Sequence, residues 1–358
     1  MIIMDYFLGA TSPAGFANFF EQLADNSYPL RTYIIKAGPG CGKSSLMRRI
    51  ADRIKAAGYD FEQIHCSSDP LSLDGVICKD LGFAIVDGTA PHAIEPSIPA
   101  AKQEVVSLFH CIDNKQMSAS LDKLLPLFEL NAQYICRAKR FVTAAGSLHH
   151  DIERTSQTAL LYDKIDRYAK NLAAKALPKM NGYGTESLRL ACAFTPLGIV
   201  DYTASNFTRC KNVLIFEDRF GAAAHTALNI IKGYALAAGY DITTCRSPMS
   251  AYDKIDAVYV PDVDTAFIHS SYISDISIPG CRLVHDKRFY DAEIINACSK
   301  RLSFCKKAAL ELVDEACALL GDAKLVHDEI ESYYKAAIDF AKIREREKEI
   351  SVDLGLES

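Results

Sequence analysis

Lys43-Ser44-Ser45 closes a glycine-rich run, Gly38-Pro39-Gly40-Cys41-Gly42. Those residue types at that spacing suit the holding of a polyphosphate. Glycines at 38, 40 and 42 allow unusual backbone angles and remove side chains that would keep a phosphate away. The N–H groups of residues 40 to 45 can then turn inward as an anion nest, and a helix starting near Lys43 adds its positive dipole end. Lys43 would reach the β- and γ-phosphates, and the Ser44 hydroxyl would hold Mg²⁺. Ala37 stands where this motif usually opens with glycine.

A second candidate group is Asp87, which closes the apolar run Leu81–Val86 and has the character of a magnesium-orienting carboxylate. Many water-activating ATPases carry Glu directly after this position, and here the residue is Gly88. A general base must come from elsewhere, with Asp69, Asp74, His92 and Glu95 as candidates. We assign catalytic roles to Lys43, Asp87 and Asp69, and metal ligation to Ser44 and Asp87. The polar turn His65-Cys66-Ser67-Ser68-Asp69-Pro70 also suits contact with a phosphate acceptor. Cys41 is a redox candidate if the helix dipole lowers its pKa, and otherwise a small residue that fits. Arg137, Lys139 and Arg140 could form a lid, and Arg219 an arginine finger; solvated faces are the plainer reading.

These groups need a frame. Thr32 to Lys36 is β-rich and apolar, while Leu46, Ile50, Ile54 and Ala57 recur at helical spacing until Gly58. Strand, turn and helix therefore fall in the required order. Residues 2–8 and 61–66 read as further strands, and 81–86 as one buried in a parallel sheet. A helix is expected from about Phe16 to Ala24, and mostly helix from Ala100 to Leu177. Tyr333, Tyr334, Ile338, Phe340 and Ile343 make an amphipathic stripe that reads as core packing.

The pattern then starts again. Ala193-Phe194-Thr195-Pro196-Leu197-Gly198-Ile199 echoes Ala10-Thr11-Ser12-Pro13-Ala14-Gly15-Phe16, and Ala237-Ala238-Gly239-Tyr240-Asp241 repeats Ala56-Ala57-Gly58-Tyr59-Asp60. Late in each half, His149, Ile152 and Glu153 match His327, Ile330 and Glu331 at one offset. This implies a tandem duplication, residues 1–184 and 185–358, with its seam in the stretch 178–185. In the register of Ala-Gly-Tyr-Asp, Lys43 aligns with Ala224, Ser44 with His225 and Asp87 with His269. Of the loop glycines only Gly40 is kept, as Gly221. The second copy is expected to keep the fold and lose the phosphate site.

The 358 residues allow two domains, and 49% hydrophobic with 24% charged residues is an ordinary globular composition. A net charge of −5 without a dense basic run argues against general nucleic-acid binding. The 12 cysteines include no C-x-x-C pair and read as reduced thiols of a cytoplasmic protein. Met1 to Phe20 lacks a basic region and is broken by Asp5, Ser12 and Pro13, so it reads as neither signal peptide nor membrane span. No Asn-Lys-x-Asp guanine-reading motif is present, which tilts the nucleotide towards ATP.

Together, Gly-Pro-Gly-Cys-Gly-Lys-Ser-Ser, His-Cys-Ser-Ser-Asp-Pro, Ala-Ile-Val-Asp-Gly-Thr-Ala-Pro-His and Phe-Thr-Pro-Leu-Gly-Ile resemble an uncharacterised Firmicutes family of duplicated P-loop ATPase-like proteins. The resemblance implies ATP binding and a cytoplasmic protein, and supplies no substrate. The expectation is an α/β P-loop NTPase-type parallel sheet duplicated in tandem, with helical extensions in each half. It would bind ATP and Mg²⁺ at one site and hydrolyse ATP. The rival readings are a small-molecule kinase and a non-catalytic nucleotide sensor with a protein partner.

Overall fold

The computed structural model describes residues 1–25 and 30–356. The first half contains β1 (Ile3–Tyr6), the hairpin β2 (Gly9–Ser12) and β3 (Gly15–Asn18), β4 (Arg31–Lys36), α1 (Lys43–Ala57), β5 (Phe61–Cys66), β6 (Asp69–Cys78), β7 (Phe83–Asp87) and β8 (Gln103–Ser107). Three helices follow, α2 (Asn114–Ala119), α3 (Leu121–Ala159) and α4 (Tyr162–Ala176). The second half contains β9 (Glu186–Arg189), β10 (Cys192–Thr195), β11 (Gly198–Asp201), α5 (Thr203–Phe207), β12 (Asn212–Glu217), α6 (Ala222–Ala237), β13 (Ile242–Arg246), β14 (Ile255–Val260), β15 (Thr265–Ser270) and β16 (Arg282–His285). It ends in α7 (Ala292–Ala337) and α8 (Phe340–Asp353).

The halves share one topology. The first sheet runs β1-β5-β6-β7-β4-β8 and the second β9-β13-β14-β15-β12-β16. Matched strands pair in matched directions, and Ile35 faces Asp87 as Phe216 faces His269. The hairpins match to the turn: Ser12 Oγ donates to the Gly15 carbonyl and Thr195 Oγ1 to the Gly198 carbonyl. Glycine is required at both corners, where φ is 111° and 93°. The fold is thus α/β in two equivalent halves.

Two expectations are corrected. The sheets are mixed, because β6 runs antiparallel to both β5 and β7, as β14 does to β13 and β15. The sequence reads 65–70 as a polar turn and assigns no element to 71–80, yet a strand begins at Asp69 and runs into Val76-Ile77-Cys78, which are buried on both faces. The stretch 16–24 is not one helix: it completes the β2–β3 hairpin and then makes a short 3₁₀ turn, Phe20–Ala24. Strand β8 was also hidden, inside a stretch that otherwise reads as helix.

The long helices exchange between halves. α3 and α7 pack along each other antiparallel, with Asn131 donating to the Ala323 carbonyl near one end and Asp151 meeting Arg301 near the other. Beyond them the chain crosses over. α4, of the first half, buries Ile165, Ala169 and Leu172 with Leu228 and Ile231 of α6. α8, of the second half, buries Ile343 and Ile350 with Leu46 and Ile50 of α1. Two matched backbone bridges make the crossings, Leu160 with Tyr290 and Ile112 with Ile338. The halves also meet at Phe7 and Leu190, which exchange backbone hydrogen bonds of 2.8 and 2.9 Å.

Candidate functional site

The candidate site lies where β4 ends and α1 begins. β4 supplies a buried rod, Thr32–Ile35, and α1 presents Leu46, Met47, Ile50 and Ile54 to the core. Between them the backbone must reverse within six residues, and it does so at Gly40 (φ 63°) and Gly42 (φ 75°). Gly42 caps the helix in the left-handed region with no side-chain bond to the first turn. The N–H groups of Gly40 through Ser45 donate to no acceptor among the described residues. Six donors without an internal acceptor thus lie in one turn at a helix N-terminus.

Lys43 lies across this turn. Its Nζ donates to the Gly38 carbonyl at 2.8 Å and the Ala37 carbonyl at 3.3 Å, and stands 3.5 Å from Asp87 Oδ2. Ser44 Oγ accepts from the Leu73 amide at 2.9 Å, tying α1 to β6. Asp87 Oδ1 accepts from the Thr89 amide at 2.8 Å. Burial raises the Asp87 carboxyl above its ordinary value, against the opposing pull of Lys43. Lys43, Ser44 and Asp87 are thus brought to one corner. Pro39 and Cys41 lie within the turn and Ser45 on its exposed flank. Cys41 is buried, and burial raises its thiol, so the reactive reading of that residue falls away.

Asp69 is placed elsewhere. It begins β6, accepts from Ser72 Oγ at 2.8 Å and lies 3.6 Å from Lys324 Nζ. Among the described residues it makes no contact with Lys43 or Asp87. The acid that joins the corner is Asp74, whose charge raises the Asp87 carboxyl. Asp74 Oδ2 is 3.0 Å from His92 Nε2, with both side chains buried and His92 set between the rings of Phe16 and Phe20. Burial alone would lower His92, but the adjacent Asp74 carboxylate outweighs it and raises it. Glu95 is exposed and pairs with Lys36 at 2.7 Å.

The other half supplies a cover that sequence reasoning did not assign. A Cβ added at Gly40 would lie 2.8 Å from the Glu331 carbonyl oxygen, and one at Gly38 would lie 2.6 Å from the Tyr334 ring. Both glycines are therefore also required for the approach of α7. Burial lowers the His327 imidazole, and nearby Lys324 and Lys43 add to that, against the pull of Glu331. The repeated His and Glu at one offset were the available signal: they are the α3 and α7 residues over the two loops.

The equivalent corner of the second half is filled by protein. Its loop has four residues, because α6 starts two residues earlier in register than α1. Gly221 keeps a positive φ of 89°, but Ala223, the counterpart of Gly42, is helical. Asp218, the counterpart of Ala37 in strand register, is buried in the turn. Its carboxylate accepts from the Ala224 amide at 2.9 Å and the Phe220 amide at 3.0 Å. Tyr290 Oη accepts from the Ala223 amide at 2.9 Å and donates to Asp218. Here a fixed carboxylate and a phenol occupy the turn and meet the Ala224 and Ala223 amides, the counterparts of those of Lys43 and Gly42.

No protein-family model, curated protein or solved structure matches the chain. Among the described residues, no helix is long and apolar enough to cross a membrane.

Proposed function

We propose that the first half binds a nucleoside triphosphate with Mg²⁺, ATP being the first to test, and hydrolyses it at this single site. One observation carries the reading. Among the described residues the amides of Gly40 through Ser45 lack acceptors, whereas in the second half the Ala224 amide, counterpart of that of Lys43, is met by the built-in carboxylate of Asp218, and the Ala223 amide, counterpart of that of Gly42, by Tyr290. An oligophosphate would satisfy the first set as Asp218 and Tyr290 satisfy part of the second.

The residues fit such a ligand. Lys43, now bound to two carbonyls, is free to exchange them for β- and γ-phosphate oxygens. Ser44 Oγ and the Asp87 carboxylate would hold Mg²⁺, whose charge neutralises developing negative charge on the phosphates. Asp74, paired with His92 and close enough to Asp87 for its charge to be felt there, is the group we assign to take a proton from water. Glu331 and Tyr334 of α7 lie against the turn and would limit solvent access from that side. The turn expected to face an acceptor is committed internally: His65 bridges Asp5 and the Pro70 carbonyl, and Asp69 meets Lys324. This favours water over a second substrate.

The test is product analysis of ATP turnover in purified full-length protein, with and without a metabolite extract. Phosphate release without added acceptor is expected, and Lys43→Ala should reduce it by about 100-fold or more. Absence of ATP binding, or binding indifferent to Lys43→Ala, would defeat the reading. A phosphorylated product that forms only with the extract would move the assignment to a kinase.

A further inference from the structure

We propose that the second half carries a separate site for one zinc-class divalent cation, built from His225, Asp256 and His269. His225 Nε2 lies 3.3 Å and His269 Nδ1 3.0 Å from the same oxygen, Asp256 Oδ1. The three donor atoms all fall within 4.8 Å of one another. Four-coordinate ligands at bonds of about 2.0–2.1 Å lie roughly 3.3 Å apart, so little movement is needed to enclose an ion.

His269 is held from behind as metal-binding imidazoles are, and His225 has a carboxylate beside its outer nitrogen. His269 Nε2 lies 2.8 Å from the backbone carbonyl of Asp218, and His225 Nδ1 lies 2.8 Å from Glu153 Oε1, which α3 brings across from the first half. Both rings are almost fully buried. A carbonyl only accepts, so His269 Nε2 must carry hydrogen. The other nitrogen of a neutral ring then aims its lone pair at a carboxylate. His225 faces carboxylates from both nitrogens. A cation at the shared focus turns these repulsions into bonds; a proton on each ring would do so too, and the experiment separates the two.

The focus is also open on one side. A cavity of about 10 Å³ adjoins Asp256 and His269, lined by Asp201, Thr203, Ser271 and Ser274 together with Cys192, Cys245 and Arg246. That is room for about one water, the fourth ligand of a site with three protein donors. By sheet register His225, Asp256 and His269 occupy the places of Ser44, Asp74 and Asp87. One corner offers hard oxygen donors and the other borderline imidazoles, so the two halves would select different metals. This proposal stands independently of the nucleotide reading.

The full-length chain, freed of metal with EDTA and dialysed against Zn²⁺, should retain one zinc per chain by elemental analysis. Co²⁺ in its place should give visible d–d bands without a thiolate charge-transfer band, since no cysteine is a ligand. His225→Ala and His269→Ala should each weaken zinc binding at least 100-fold, and Glu153→Gln, which removes no ligand, roughly 10- to 100-fold. Cys66→Ser with His92→Asn breaks the other His/Cys/Asp cluster, Cys66-Asp74-His92, and should leave zinc stoichiometry and affinity unchanged in the folded chain. Circular dichroism checks that each variant is folded. No zinc on the wild-type chain, a thiolate band with Co²⁺, or binding that survives loss of both histidines would overturn the proposal.

Discussion

At the scale of single residues, Gly88 explains a departure from the usual ATPase pattern. A Cβ at that position would lie 2.3 Å from Ile34 Cγ2, inside the core. A carboxylate cannot follow Asp87 without displacing β4. Gly88→Glu should therefore lower the melting temperature sharply and not raise turnover; a faster, fully stable variant would contradict this. The His92–Asp74 pair carries a pH signature. His92 is raised in the folded protein, so its stabilisation is complete below the unfolded value of about 6.5 and is lost as pH rises through the folded value. His92→Asn should cost about 3 kcal/mol in chemical denaturation at pH 5.5 and visibly less at pH 9. An equal cost at both pH values would show that the pair is not charged. Lys43, Ser44 and Asp87 were legible because their chemistry dictates type and spacing. Asp218 was not, since a lone Asp after a strand reads as an ordinary turn residue until its amide partners are seen.

At the scale of elements, the two halves differ at the loop–helix junction. Residue numbers from β4 to the end of α1 run in step with those from β12 to the end of α6. Only the point where helix begins has moved. Gly40 combines a φ of 63° with an approach to the Glu331 carbonyl that leaves no room for a methyl group. Gly40→Ala should cost about 1–2 kcal/mol from backbone conformation alone, plus the displacement of α7. Equilibrium unfolding measures this, and an unchanged midpoint would show that α7 does not press on the loop. Asp218→Ala should cost about 1–3 kcal/mol by leaving buried amides unmet, yet confer no ATP binding, because Ala224 stands where a lysine is needed. The β4–α1 unit was readable from period and glycine placement. β6 was not: Asp69, Pro70, Ser72, Asp74 and Gly75 carry turn composition, and only pairing with β5 and β7 makes them a strand.

At the scale of the molecule, the sequence halves and the packing units differ. The repeat was visible as echoed motifs, but where each helical arm goes was not, because an amphipathic helix fits either partner's face equally well. The arms cross, so residues 1–184 alone lack the cover for α1 and leave α4 without α6. Expressed alone, that fragment should melt without cooperativity and bind ANS, whereas co-expression with 185–358 should restore a cooperative transition. A sharp melt from 1–184 by itself would refute the exchange. A second tie is Arg189, fully buried, whose Nε lies 2.6 Å from Glu62 across the halves; Arg189→Ala should cost about 3–5 kcal/mol.

The crossed arms bear on ancestry. An unduplicated forebear with the same chain path could complete neither its cover nor its core as a monomer. It would have existed as an isologous twofold pair, each protomer lending a lever to its neighbour. Joining two such copies in one chain would make the pairing permanent and end the requirement that both clefts stay alike, which is the freedom that placing Asp218, His225 and His269 in one of them requires.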